Sequence, residues 1–302
     1  MNAVCHQHVS GRYQNLVTQH DDASLTTWFS MNSHPRPSFT WSLVRDILRF
    51  QEHLPRDTER LRYLVFASRT NGIFSLGGDL TMFQQVIENQ DRTNLGLYAE
   101  DCATVLFNHL NAPAVTISLL EGDAVGAGLE SAISSDVVIA ERTMHGGFPE
   151  VLFNLVPGHG AYQLVARRAG PRQAEEMILS GKMYSAEELH ALGLIDILIE
   201  PGTGRDAVRE FQERHARHWN SYRALTMIRR LHMPVSRELL SASSAIWVEA
   251  AMHLGQRDLK LMQRLVRAQD RRLSSPNTDA LPATPAARKE APIVAVEPAF
   301  AA

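Results

Sequence analysis

AVTISLLEGDAVGAGLESAISSDVVIA (114–140) reads as apolar strand, small-residue loop, short helix and second strand. The runs 114–120 and 136–140 are rich in Val and Ile and short enough to be buried strands. Between them Gly126-Ala127-Gly128 starts a helix of small residues. A strand, a helix and a second strand in that order build a parallel pair covered by helix, so the chain is read as an α/β layered protein.

The same pattern extends in both directions. Upstream, 61–67 (LRYLVFA) is a strand, NGIFSLGGDL (71–80) a loop, and 81–111 a helix broken near Asp91–Asn94. Before these lie a hairpin of 13–19 with 24–31 and a helix over 39–54, with Trp41, Val44, Ile47, Leu48 and Leu54 at helical spacing. Downstream follow a loop around Glu150, a helix at 159–169, paired helices to Leu192 and a last strand at 195–199. Beyond about 204 only helices are expected, over 205–231 and 236–272. The organisation is therefore a flexible start at 1–12, an α/β core at 13–200, a helical region at 201–272 and a disordered Ala/Pro-rich tail at 273–302.

Composition excludes several classes. Hydrophobic residues are 44% and charged ones 21% of 302, with net charge −3, so no basic field invites nucleic acid. No apolar run approaches the roughly 20 residues a membrane helix needs, and the N-terminus lacks a secretion pattern, so a cytoplasmic protein is expected. Cys5 and Cys102 are read as free thiols of a reducing compartment. Walker A, G-x-G-x-x-G, H-E-x-x-H, C-x-x-C and G-x-S-x-G patterns are absent, so no metal or cofactor is called. His215 and His218, flanked by Arg214 and Arg217, are read as a solvated helix face.

Chemistry is suggested by Glu130 and Glu150, each set in an apolar or small-residue run (122–134 and 146–160). Burying carboxylates is costly, and two in one cleft equip a site for taking and giving protons. Two loop–helix junctions, Leu76-Gly77-Gly78-Asp79 and Val125-Gly126-Ala127-Gly128, expose main-chain N–H groups able to hold an oxyanion. Asp79 is read as a helix cap, and His159 in PGHG as a loop residue near the site.

These motifs resemble the crotonase (enoyl-CoA hydratase/isomerase) superfamily over roughly 13–270. FSLGGDL (74–80), GDAVGAGLESAISSDVVIA (122–140) and the stretch from GFPEVLFNLVPGHG through 196 carry the likeness. The resemblance implies a ββα spiral core with a C-terminal helical trimerisation region, an oxyanion hole at Gly78 and Ala127, and acid/base roles for Glu130 and Glu150. Leu129, Val151 and Leu155, near the glutamates, are read as walls of an apolar slot for an acyl chain, Trp247 as lining a channel or as core packing between helices, and Leu76, Gly77, Gly126 and Gly158 as further substrate contacts. A finer likeness, in 148–162, 178–194 and FSMNSHPRPSFT (29–40), is to synthases of diffusible signal factor, the cis-2-unsaturated fatty acids of bacterial quorum sensing. That likeness implies dehydration of a 3-hydroxyacyl group on acyl carrier protein, then thioester hydrolysis by water that the same carboxylates activate. It further implies a homotrimer and a membrane sensor kinase as partner. Two other readings remain open at this point: a CoA-dependent enoyl-CoA hydratase of fatty-acid breakdown, and a non-catalytic partner-binding protein. Which glutamate is acid and which is base is also open.

Overall fold

The computed structural model describes residues 12–57 and 59–274. The expectations for 1–11 and 275–302 lie outside the described residues. The chain begins with the hairpin β1 (Leu16–Asp21) and β2 (Thr26–Met31), then α1 (Trp41–Glu52) and β3 (Tyr63–Ser68). Thr40 caps α1 by accepting from Leu43 N, and Leu43, Val44, Ile47 and Phe50 form its buried stripe. Each such side chain contributes about 1.5–3 kcal/mol by leaving water. Phe29 stacks between Phe66 and Phe50, with centroids 4.6 and 4.9 Å away.

Next come β4 (Gly72–Ser75), α2 (Leu80–Glu88) and α3 (Arg92–Leu110). Asp79 caps α2 through Thr81 N and Met82 N, and Asp91 caps α3 through Asn94 N, which explains the helix break. The chain repeats this plan in β5 (Val115–Leu120), β6 (Gly122–Val125) and α4 (Ala127–Ile133). A third round has β7 (Val137–Glu141), β8 (His145–Gly147) and a 3-10 turn at Pro149–Phe153. Three times, then, the chain runs from a large-sheet strand to a small-sheet strand to a helical turn. That is the ββα spiral. The core closes with α5 (Ala161–Ala169), α6 (Pro171–Ser180), β9 (Met183–Ser185), α7 (Ala186–Ala191) and β10 (Ile197–Ile199).

The large sheet has the order β1-β2-β3-β5-β7-β10, parallel except for the β1–β2 hairpin. Parallel strands buried on both faces are continuously apolar, as in YLVFAS of β3. The second sheet, β4-β6-β8-β9, differs from the sequence reading, which placed its first three strands in loops and its fourth between helices. Its strands are only three or four residues long and rich in glycine, too short to show alternation.

The helical region contains α8 (Gly204–Ala216), α9 (Trp219–His232), α10 (Arg237–Met252) and α11 (Gln256–Ser274). Each of the two long helices expected there is split in two. The first turns so that Trp219 meets Tyr63 of β3, with ring centroids 5.0 Å apart. The second breaks at Gly255, whose N–H donates to Asp258. No helix among the described residues is long and apolar enough to cross a membrane.

Candidate active site

The small sheet positions the site. Strands β4, β6 and β8 are parallel neighbours in register, Ser75 beside Ala124 and Val125 beside Gly147. Their C-terminal ends therefore release three segments side by side: Leu76-Gly77-Gly78, Gly126-Ala127 and Phe148-Pro149-Glu150. The exits are held together, since Gly126 N donates to Gly147 O at 2.8 Å. Gly77 has φ +90°, and a Cβ there would stand 2.8 Å from Val125 O and 3.6 Å from Ala127 N. The two amide-bearing loops are thus in contact. Ala127 N lies in the first turn of α4, where no intrahelical acceptor exists. Neither it nor Gly78 N donates to a protein acceptor among the described residues.

Glu130 projects from α4 and is 2% exposed. Its Oε1 accepts from His159 N at 3.1 Å and Ala161 N at 3.2 Å, at the start of α5. Its Oε2 has no hydrogen bond and faces His159 Nδ1 at 3.7 Å. Glu150 lies in the first turn of the 3-10 segment, and its Oε1 fills the space a Cβ at Gly126 would take. The residue as a whole is half-buried, but its Oε2 is enclosed and unpartnered. Burial pushes the Glu150 pKa up to about 8 and the Glu130 charge adds to this, while its own main-chain N–H and His159 pull the other way.

His159 is more central than a loop residue. It is 7% exposed, and its ring lies 5.4 Å from Trp247 and 6.0 Å from Tyr98. Burial works against its charged form, but Cys102 and Glu130 outweigh that and raise its pKa to about 10. Trp247, on α10, also meets Phe83 at 5.2 Å and lies directly over Gly158, where a Cβ would stand 2.5 Å from the indole. Gly158→Ala is accordingly expected to cost about 1–3 kcal/mol through overpacking, read as a lowered Tm.

A narrow cavity of about 50 Å³ borders these groups, lined by Ala127, Glu130, Ser131, Cys102 and His159 and walled by Phe29, Phe39 and Phe66. Leu129, Val151 and Leu155 do not line it, and neither do Glu150, Gly78 and Trp247. Helix geometry explains the first case: 127, 130, 131 and 134 share one face of α4, and Leu129 points to the opposite side, beside Gly146. Val151 packs against Gly181, and Leu155 is buried in the core. Leu76 is covered by α11, with Gln269 Nε2 donating to Leu76 O at 3.3 Å. The segment 29–40 also packs on this loop: Leu76 N donates to Pro37 O and Phe39 N to Gly77 O, both at 2.8 Å. His215 bonds Phe211 O and stacks near Phe211 and Tyr222 at 4.4 and 4.2 Å, a packing role. No cluster of metal-ligating side chains occurs among the described residues.

A family model described as Enoyl-CoA hydratase/isomerase matches residues 33–256. The "Probable enoyl-CoA hydratase echA17" of Mycobacterium avium (strain 104) is 31% identical over 184 residues, 60% of this chain and 68% of that protein. The "Peroxisomal fatty acid beta-oxidation multifunctional protein AIM1" of Arabidopsis thaliana is 37% identical over 132 residues, 44% of this chain but only 18% of that protein. Among solved structures, human mitochondrial delta3-delta2-enoyl-CoA isomerase superposes with TM-score 0.73 at 15% identity, covering 85% of this chain and 99% of the other. At that identity the likeness concerns the fold alone.

Proposed function

This chain belongs to the enoyl-CoA hydratase/isomerase family, and from that membership we propose that it is a 3-hydroxyacyl thioester dehydratase that releases a cis-2-unsaturated fatty acid signal. The observation that supports the chemistry is that Glu130 and Glu150 each hold one buried, unpartnered carboxyl oxygen, next to the contacting loops that carry the Gly78 and Ala127 amides. Glu150, with a pKa near 8, holds the proton at neutral pH and is the acid; Glu130, anchored by two main-chain N–H groups, is the base.

A C2 proton of a thioester is weakly acidic, and its removal puts charge on the carbonyl oxygen. The two amides stabilise that enolate by roughly 3–4 kcal/mol per donor. Glu150 gives its proton to the C3 hydroxyl, water leaves, and the cis-2-enoyl thioester is then hydrolysed to the free acid. The acyl chain enters the Phe29–Phe39–Phe66 cavity, whose narrow bore requires side chains to shift for a medium-length chain. The likeness of segment 29–40 to the signal-factor synthases supports that branch, and the segment packs on the amide loop. Acyl carrier protein is the proposed carrier. The exposed apolar residues Leu225, Met227, Ile228 and Leu231 of α9 support assembly with further copies, proposed as a trimer.

A second reading, a CoA-linked enoyl hydratase that leaves the thioester intact, is favoured by the names of the relatives. Incubation with 3-hydroxydecanoyl-carrier protein separates the two: free cis-2-decenoic acid is expected, and an intact thioester product refutes release. The pH profile tests the acid. Loss of the Glu150 proton is expected to lower kcat/KM about tenfold per unit above pH about 8; a flat profile to pH about 10 assigns the acid to another group.

A further inference from the structure

We propose that Cys102 is the nucleophile for thioester cleavage, with His159 as its base, Glu130 orienting that base and the Ala127 amide receiving the oxyanion. This rests on the dehydratase–thioesterase reading and gives the release step its own chemical group. Cys102, Ala127, Glu130 and His159 line one cavity. Tyr98 and Cys102 are one helical turn apart on α3 and share a face. The Tyr98 ring is 6.0 Å from that of His159, and Cys102 and His159 line the same cavity.

The imidazole lies between two different neighbours. Its Nδ1 faces the unpartnered Glu130 Oε2 at 3.7 Å, while its Nε2 is buried without a hydrogen bond. A carboxylate beside one ring nitrogen, with the other nitrogen unpartnered and a thiol lining the same cavity, supplies the groups that activate a nucleophile. The His159 main chain is tied to the same carboxylate through Oε1, so the ring has little freedom to swing away. Cys102 is half-buried and makes no disulfide, so its sulfur is chemically available. After burial, the largest influence on His159 is Cys102, which raises the imidazole pKa and so favours the protonated ring.

The step balances as follows. The Cys102 S–H proton passes to His159 Nε2, and the sulfur forms a bond to the thioester carbonyl carbon. The carbonyl π electrons move to oxygen, facing the Ala127 N–H, and return as the bond to the carrier sulfur breaks. That thiolate takes the proton from His159. Water then attacks the Cys102 thioester, gives a proton to His159 and displaces the Cys102 sulfur, which recovers it. The products are the free acid and the carrier thiol.

The test uses the full chain and two substrates. Decanoyl-carrier protein has no C3 hydroxyl and reads release alone; 3-hydroxydecanoyl-carrier protein reads dehydration. In Cys102→Ala and Cys102→Ser, release is expected to fall about 100-fold more than dehydration does. Rapid mixing of the unmodified chain with decanoyl-carrier protein should place a decanoyl adduct on the Cys102 peptide, diminished in His159→Gln. Release at the unmodified rate in both Cys102 variants overturns the proposal, and so does an unmodified chain that neither releases decanoate nor acquires the adduct. Failure of dehydration alone counts against the wider reading of function, because acylation of Cys102 is scored without it.

Discussion

Glu130→Gln is expected to lower the dehydration rate by about 10²–10⁴-fold while leaving the fold in place. The fold survives because the Gln carbonyl oxygen still accepts from His159 N and Ala161 N, the two bonds that Glu130 Oε1 makes. Basicity is lost, since an amide does not accept the C2 proton. Glu150→Gln is expected to fail for the opposite reason: it removes the proton donor. It also abolishes a costly ionisation. Glu150 titrates near pH 8 in the folded chain against 4.5 in the unfolded one, so the stability tied to its proton is full below 4.5 and lost as pH rises through 8. Glu150→Gln should therefore melt higher than the unmodified chain at pH about 9, the difference vanishing toward acid. Full dehydration activity in either variant contradicts the assignment.

Gly126→Ala is expected to be nearly as damaging without touching a reacting group. Gly126 has φ +51°, and a Cβ there would overlap Glu150 Oε1. The carboxylate must then leave its place beside Gly126, and a displacement of about 1 Å costs on the order of 10²-fold in rate. Backbone strain adds about 1–3 kcal/mol of instability. Gly170→Ala separates these effects, since Gly170 has φ +91° with nothing within 4 Å of its would-be Cβ. That variant should lose stability and keep its rate. Comparable rates in the two alanine variants would mean that Glu150 does not need the Gly126 gap.

The legible parts of this chain are those with enough residues to show a period. Strand YLVFAS of β3, strand VTISLL of β5 and the stripe of α1 announce themselves, and Asp91 marks the break between α2 and α3. The small sheet does not, although it aligns the three exits. Gly122, Gly146 and Gly147 have no side chains to alternate, and a Cβ at Gly122 would collide with the main chain of Gly72–Ile73, the close approach that requires glycine. Glu130, Glu150 and the amide loops could be read from local composition, because buried charge among small residues is conspicuous. Cys102 carried no such signal: it sits in an ordinary amphipathic helix and gains meaning only from His159, 57 residues later in the chain. The lining of this cavity is hard to read from the sequence for a related reason. Nearness to Glu130 in sequence put Leu129 forward, whereas helical geometry turns Leu129 to the opposite side and brings in Phe29, Phe39 and Phe66 from elements far upstream.

Enolate formation at this site can be measured apart from elimination, on a thioester with no C3 hydroxyl. In D₂O, the protein should wash deuterium into C2 of a decanoyl thioester, and Glu130→Gln should reduce the exchange to background. Undiminished exchange in Glu130→Gln, or no exchange from a protein that still dehydrates its hydroxylated counterpart, would contradict removal of that proton by this carboxylate.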